Sequence, residues 1–233
     1  MLKPKISISK QILNNKNISE KEFVYRKGIG EHKLENITYD SDKLYSIYDK
    51  QLLKNKDILL HNHIFKHNKQ INGYNSLLII PSILDIVELL RNSINKNVNS
   101  GVISIIKKEN NNSVHEIGRT HFQIVNDKLK LLFIKEFSEH KKIDFTKVRD
   151  DIFLDIFNLC KLRFPEKEFK IVEDFFENPE KVKVPKLEKE HINKKLPLIF
   201  LEVFEKYGVK IRFVANKKDG YYFDSNRLEF LKK

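Results

Sequence analysis

Short apolar runs come first along the chain. Glu22-Phe23-Val24-Tyr25-Arg26-Lys27 stops at Gly28-Ile29-Gly30, Leu34 to Tyr39 is a second run, and Asp57 to His63 a third, entered through Ile58-Leu59-Leu60. Such runs, bounded by turn formers, predict strands. Between the second and third, apolar residues at 44, 45, 47, 48, 52 and 53 fit a helix capped by Ser41 or Asp42. Residues 1 to 20 are polar, with periodicity only at Ile6, Ile8 and Ile12, and read as an arm or edge strand.

Lys66 to Asn75 is polar, contains Gly73 and reads as a loop. Pro81-Ser82 then opens a helix through Asn95, with Ile83, Ile86, Val87, Leu90 and Ile94 on one side. Val102 to Lys107 predicts a strand, Asn110-Asn111-Asn112 a turn, and Ser113 to Val125 a returning strand; Asn126-Asp127 turns into a further strand at Leu129 to Ile134. From Lys135 the period becomes helical. Val148 to Phe164 ends before Pro165, and Glu166 to Glu177 stops before Pro179. Leu196 to Tyr207 has Pro197 in its first turn and Gly208 as its stop. Pro179 to Lys186 is a charged connector. Val209 to Val214, the turn at 216–220, and Tyr221 to Asp224 predict a closing hairpin.

The fold class expected is α/β (α+β). An arm over 1–20 precedes a mixed sheet with flanking helices over 21–134, and a mainly helical region over 135–233 ends in a β-hairpin. There are no internal repeats.

Composition changes this picture little. With 40% hydrophobic and 11% aromatic residues, the chain has enough apolar surface for a sizeable core. The net charge of +12 raises nucleic acid as a partner. Only seven of the 44 basic residues are Arg, however, so the excess is Lys spread along the chain, weaker evidence for phosphate recognition. The single Cys160 excludes an intramolecular disulfide and a multi-Cys zinc site; its apolar surroundings predict a buried structural thiol. Met1 to Lys16 has no apolar stretch of signal-peptide type, and no run approaches the roughly 20 apolar residues of a membrane span. The expectation is a cytoplasmic protein without a membrane partner. Seven Gly and no Gly-rich phosphate loop argue against the usual nucleotide-binding enzymes.

The chemistry centres on His61-Asn62-His63. Strand alternation puts the two histidines on one face, where two imidazoles can bind one divalent ion. A carboxylate from the first turn of the following helix completes a three-ligand site with a position left for water, the pattern of a catalytic zinc. Pro81-Ser82-Ile83-Leu84-Asp85 supplies that turn. Ser82 with Asp85 also forms a capping-box pattern, which explains the spacing without a metal.

His61-Asn62-His63 followed by Pro81-Ser82-Ile83-Leu84-Asp85-Ile86 resembles the JAB/MPN (JAMM) metallopeptidase-like domains, chiefly their RadC-type and phage- or toxin-associated His-Asn-His members. The likeness spans residues 20 to 126. It implies a Zn2+ site at His61, His63 and Asp85, Ser82 as a hydroxyl that stabilises a tetrahedral intermediate, and an upstream glutamate as general base. Glu22 is the choice for that base, with Glu31 and Glu35 as alternatives. The implied activity is zinc-dependent hydrolysis of peptide or isopeptide bonds in a protein or peptide substrate. Residues 64–81 form a longer link between His63 and Ser82 than the family has, and Ile64 stands where a proline usually follows the histidines.

Other histidines rank lower. His67 is a ligand only if its loop folds back. His115-Glu116 with His121 lacks the spacing of a His-Glu-x-x-His helix; on a strand the two histidines share a face but stand too far apart to chelate, so both read as structural. The alternative reading is a non-catalytic basic module for nucleic acid, with Lys181, Lys183, Lys186, Lys189, Lys194 and Lys195 gathered on one face.

Overall fold

The run Gly101-Val102-Ile103-Ser104-Ile105-Ile106 has no charged position, and every residue in it is buried, as a strand covered on both faces requires. A computed structural model describes residues 22–25, 34–37, 58–66, 77, 79–96, 98–108, 114–125, 145–177 and 186–233. The elements in order are β1 (Glu22–Tyr25), β2 (Leu34–Ile37), β3 (Ile58–Lys66), α1 (Ile83–Lys96), β4 (Ser100–Lys108), β5 (Val114–Ile124), α2 (Phe145–Arg163), α3 (Glu166–Glu177), α4 (Lys186–Lys206), β6 (Val209–Ala215), β7 (Tyr221–Asp224) and β8 (Glu229–Lys232). One mixed sheet has the order β2-β1-β3-β4-β5-β6, and β7 and β8 form a separate hairpin. The parallel pair is β3 with β4, and α1 supplies the crossover that parallel pairing demands. The mixed α/β class is as expected.

One face of the sheet carries the main core. Leu59, Ile103, Ile105 and Phe122 occupy same-face positions and share a buried cluster with Ile86, Leu89 and Leu90 of α1, Ile152 and Ile156 of α2, and Ile199 and Val203 of α4. Gly101 makes room for this layer. It lies opposite Phe122, and a Cβ there would stand 2.2 Å from the Phe122 ring. The hairpin closes the same face farther along, where Phe230 covers Gly118 and Phe223 stacks on Phe213 at 4.4 Å. Val102 and Ile106 point the opposite way; they are also buried, outside that cluster.

Two expectations are corrected. Val209–Ala215 pairs with β5 in the main sheet, and the closing hairpin is β7 with β8. Alternation explains the choice: Ile211 and Phe213 fall opposite Phe122 and Thr120 and extend the inner face, while Lys210, Arg212 and Val214 are exposed. Gly208, with φ 71, lets the chain pass straight from α4 into this strand. The other correction concerns Pro197, which lies inside α4 because that helix starts at Lys186. A proline removes one helical hydrogen bond. Burial of Ile192, Leu196, Ile199, Phe200, Val203 and Phe204 on both sides of it offsets that loss.

The sheet and the core both cross residue 135, since β6 pairs with β5, and α1 packs on α2. The arm over 1–20, the helix at 44–53, the loop at 66–75 apart from Lys66, the turns at 110–112 and 126–127, the strand at 129–134, and the connector apart from Lys186 lie outside the described residues.

Candidate metal and catalytic site

The histidine pair lies within β3, which runs on to Lys66 because its ladder with β4 continues to Lys108. The apolar run alone predicts an end at His63. Cα register puts Glu22 opposite His61 on one side. On the other side Ile103 is beside His61 and Ile105 beside His63. Positions two apart share a face, so 61 and 63 continue the face of buried Leu59, and Glu22 belongs to it as well. His63 is half-buried. The side chains of Glu22 and His61 lie outside the described part of the structure. Among the alternatives for a base, Glu35 is opposite Val24, one strand farther out and one row away; Glu31, like His67, is outside the described residues.

Ser82 and Asp85 form a complete capping box at the start of α1. The Ser82 amide donates to Asp85 Oδ2 at 2.7 Å and its hydroxyl to the same oxygen at 2.8 Å, while the Asp85 amide donates to Ser82 Oγ at 3.2 Å. Ser82 is exposed and Asp85 half-buried. The pair therefore serves the helix whatever else it does: it satisfies amides left over at a helix start and sets a negative charge at the positive end of the helix dipole.

The lead into this helix is buried at Ile79, Ile80 and Pro81. Thr120, fully buried on β5, donates its hydroxyl to the Ile79 carbonyl. Thr120 pairs with Ile103, which is beside His61. Residues 22, 61, 103 and 120 thus form one row across the sheet, and the chain entering α1 is bound at the end of that row. The sequence reading missed Thr120. Its one mark was a hydroxyl among the inward positions of β5, beside Phe122 and Ile124.

His115 and His121 do not share a face. A register shift at Ile105/Ile106 leaves His115 opposite Lys107 and His121 opposite Val102, which are positions of opposite parity. A bulge adds one residue and inverts the alternation beyond it. His121 stands opposite Arg212, and its pKa is pushed down to about 4, first by burial and then by the charges of Arg119 and Arg212. Nearby, Glu116 accepts hydrogen bonds from Ser104 at 2.9 Å and from both Nε and Nη2 of Arg119.

Among the described residues, which exclude the His61 side chain, no group of three or more His, Cys, Asp or Glu side chains converges as a metal site. The donor chemistry of the expected set, two imidazoles and a carboxylate, suits zinc, and the shared strand face together with an oriented carboxylate at the helix start is compatible with it. No protein-family model matches the chain, and neither a curated protein nor a solved structure gives a significant match. No described helix is long and apolar enough to cross a membrane.

Proposed function

We propose that this chain is a JAB/MPN-like zinc-dependent hydrolase of peptide or isopeptide bonds, with His61, His63 and Asp85 holding the metal. The observation that carries the reading is the cross-strand pair of Glu22 and His61. It joins an acid to the histidine face, and directly opposed residues are nearest neighbours across an antiparallel pair. Zinc held by His61, His63 and Asp85 would supply Lewis acidity at this face. Glu22 acts as general base: it takes the proton of the attacking water and returns it to the nitrogen of the breaking C–N bond. Ser82 orients the Asp85 carboxylate through the hydroxyl and amide bonds described above, a role that outer partners of metal ligands usually fill. Its single hydroxyl proton goes to Asp85, so donation to a substrate oxyanion requires that hydroxyl to turn. Metal analysis of the purified protein tests the reading. Wild type should hold zinc near one equivalent, His61→Ala should lose it, and Glu22→Gln should keep it while losing hydrolysis. Equal and negligible zinc in wild type and His61→Ala ends the proposal.

A second reading, a surface for nucleic acid, is favoured by one observation. The outward positions of β5 and β6 bring Arg119, Lys210 and Arg212 together beside His121, and Lys210 and Arg212 are exposed. Of the lysines named from the sequence, Lys181 and Lys183 lie outside the described residues, while Lys186, Lys189, Lys194 and Lys195 belong to α4, with Lys195 resting over the Phe164 ring. Binding to a single-stranded oligonucleotide should then weaken steeply with salt, and Arg212→Ala should flatten that slope. No binding at low salt discards this reading.

A further inference from the structure

We infer that Thr120 is a positioning residue for the candidate site: its hydroxyl fixes the Ile79 carbonyl and thereby sets where α1, with Ser82 and Asp85, begins relative to the histidine strand. The inference rests on the zinc-hydrolase reading above and names what builds its third ligand into place.

The problem Thr120 solves is visible in the chain. Residues 64–81 separate His63 from Ser82, so chain length alone leaves the helix start free to settle at many places beside the sheet. Something tertiary has to fix it. The Thr120 bond joins residues 41 apart in sequence and ties the backbone three residues ahead of Ser82. Its anchor is a strand of the same sheet, two strands from His61 and therefore roughly 10 Å away at the usual strand spacing. Both ends are buried. A buried carbonyl deprived of its donor must find another or stay unsatisfied, and either result displaces the chain that carries it. Ile80 and Pro81, which lead from Ile79 to the helix, are buried as well, so the displacement carries on to Ser82, and three hydrogen bonds tie Asp85 to Ser82. The carboxylate then moves relative to the two histidines. A merely stabilising threonine would not alter the geometry around a metal.

The test uses the full chain and three variants: Thr120→Val, which keeps shape and loses the donor; Thr120→Ser, which keeps the donor; and Thr120→Cys, which keeps volume with a weak donor. Zinc affinity is read by competition with a chromophoric chelator, and the ligand field by the visible absorption of the Co2+-loaded protein. Thr120→Val should bind zinc about 10–100-fold more weakly, the usual loss when an outer partner of a ligand is removed, with an altered Co2+ spectrum. Thr120→Ser should restore both. If Thr120→Val does not fold, Thr120→Cys must show the same direction of loss. Wild-type affinity and an unchanged Co2+ spectrum in Thr120→Val, or in Thr120→Cys if Val fails to fold, would overturn the inference while leaving the metal site standing. A wild type that binds neither zinc nor Co2+ removes the hydrolase reading itself, and this inference with it.

Discussion

His121 shows how a single side chain ties the fold to pH. Burial, and then Arg119 and Arg212, hold its pKa near 4 in the folded protein, against about 6.5 for an unperturbed histidine. Between those values the unfolded chain binds a proton that the folded one does not. Stability therefore falls as pH drops from about 6.5 toward 4, while above pH 7 the group adds no slope. At ~1.4 kcal/mol per unit the loss is on the order of 2–3 kcal/mol. Urea unfolding at pH 7 and pH 4.5 should show His121→Gln losing less stability on acidification than wild type, by about that amount; identical losses would refute the account. Cys160 was easier to read. Its apolar neighbours implied burial, and it is fully buried, with burial pushing the thiol up to about 12. The environment of His121 was not legible, because Arg212 comes opposite it only through the pairing of β5 with β6, strands far apart in the chain.

At the scale of elements, strands and helices follow from local pattern, while their partners do not. Gly101 illustrates the coupling between neighbouring strands. Glycine ordinarily weakens a strand, yet here it admits the Phe122 ring across β4. Gly101→Ala should cost about 1–3 kcal/mol, the usual price of overpacking, and Phe122→Leu should recover part of it. A double-mutant cycle by denaturant titration measures this. Additive losses would show that the ring does not occupy that space in solution. The capping box at Ser82 and Asp85 was written in the sequence because its geometry spans three residues. The start of α4 was not. A proline inside a helix is tolerated only where tertiary burial outweighs it, and burial is not a local property.

For the molecule as a whole, the sheet order decides what can be removed. A truncation ending at residue 135 deletes β6, which pairs with β5 from Val209 to Ala215, and α2 and α4, which contribute Ile152, Ile156, Ile199 and Val203 to the shared core. It leaves β5 as a long unpaired edge over an uncovered apolar face, a combination that aggregates. Such a truncation should be insoluble or lack a cooperative melt by circular dichroism. A soluble, cooperatively folding product would mean that the residues before 135 form a unit of their own.

Taken alone, the sequence determined the mixed α/β class, most elements, the inward faces of α1 and α2, the helix stop at Gly208 and the histidine–serine–aspartate order. Each of these depends on periods and caps that span a few residues. Only the tertiary structure decided that Val209–Ala215 extends the main sheet, that a bulge separates His115 from His121, that Glu22 aligns with His61, and that Thr120 binds the chain ahead of Ser82. Strand register and the partners of buried polar groups depend on contacts between residues far apart in the chain. A local pattern states which face a residue prefers, but the packed molecule selects what lies opposite it.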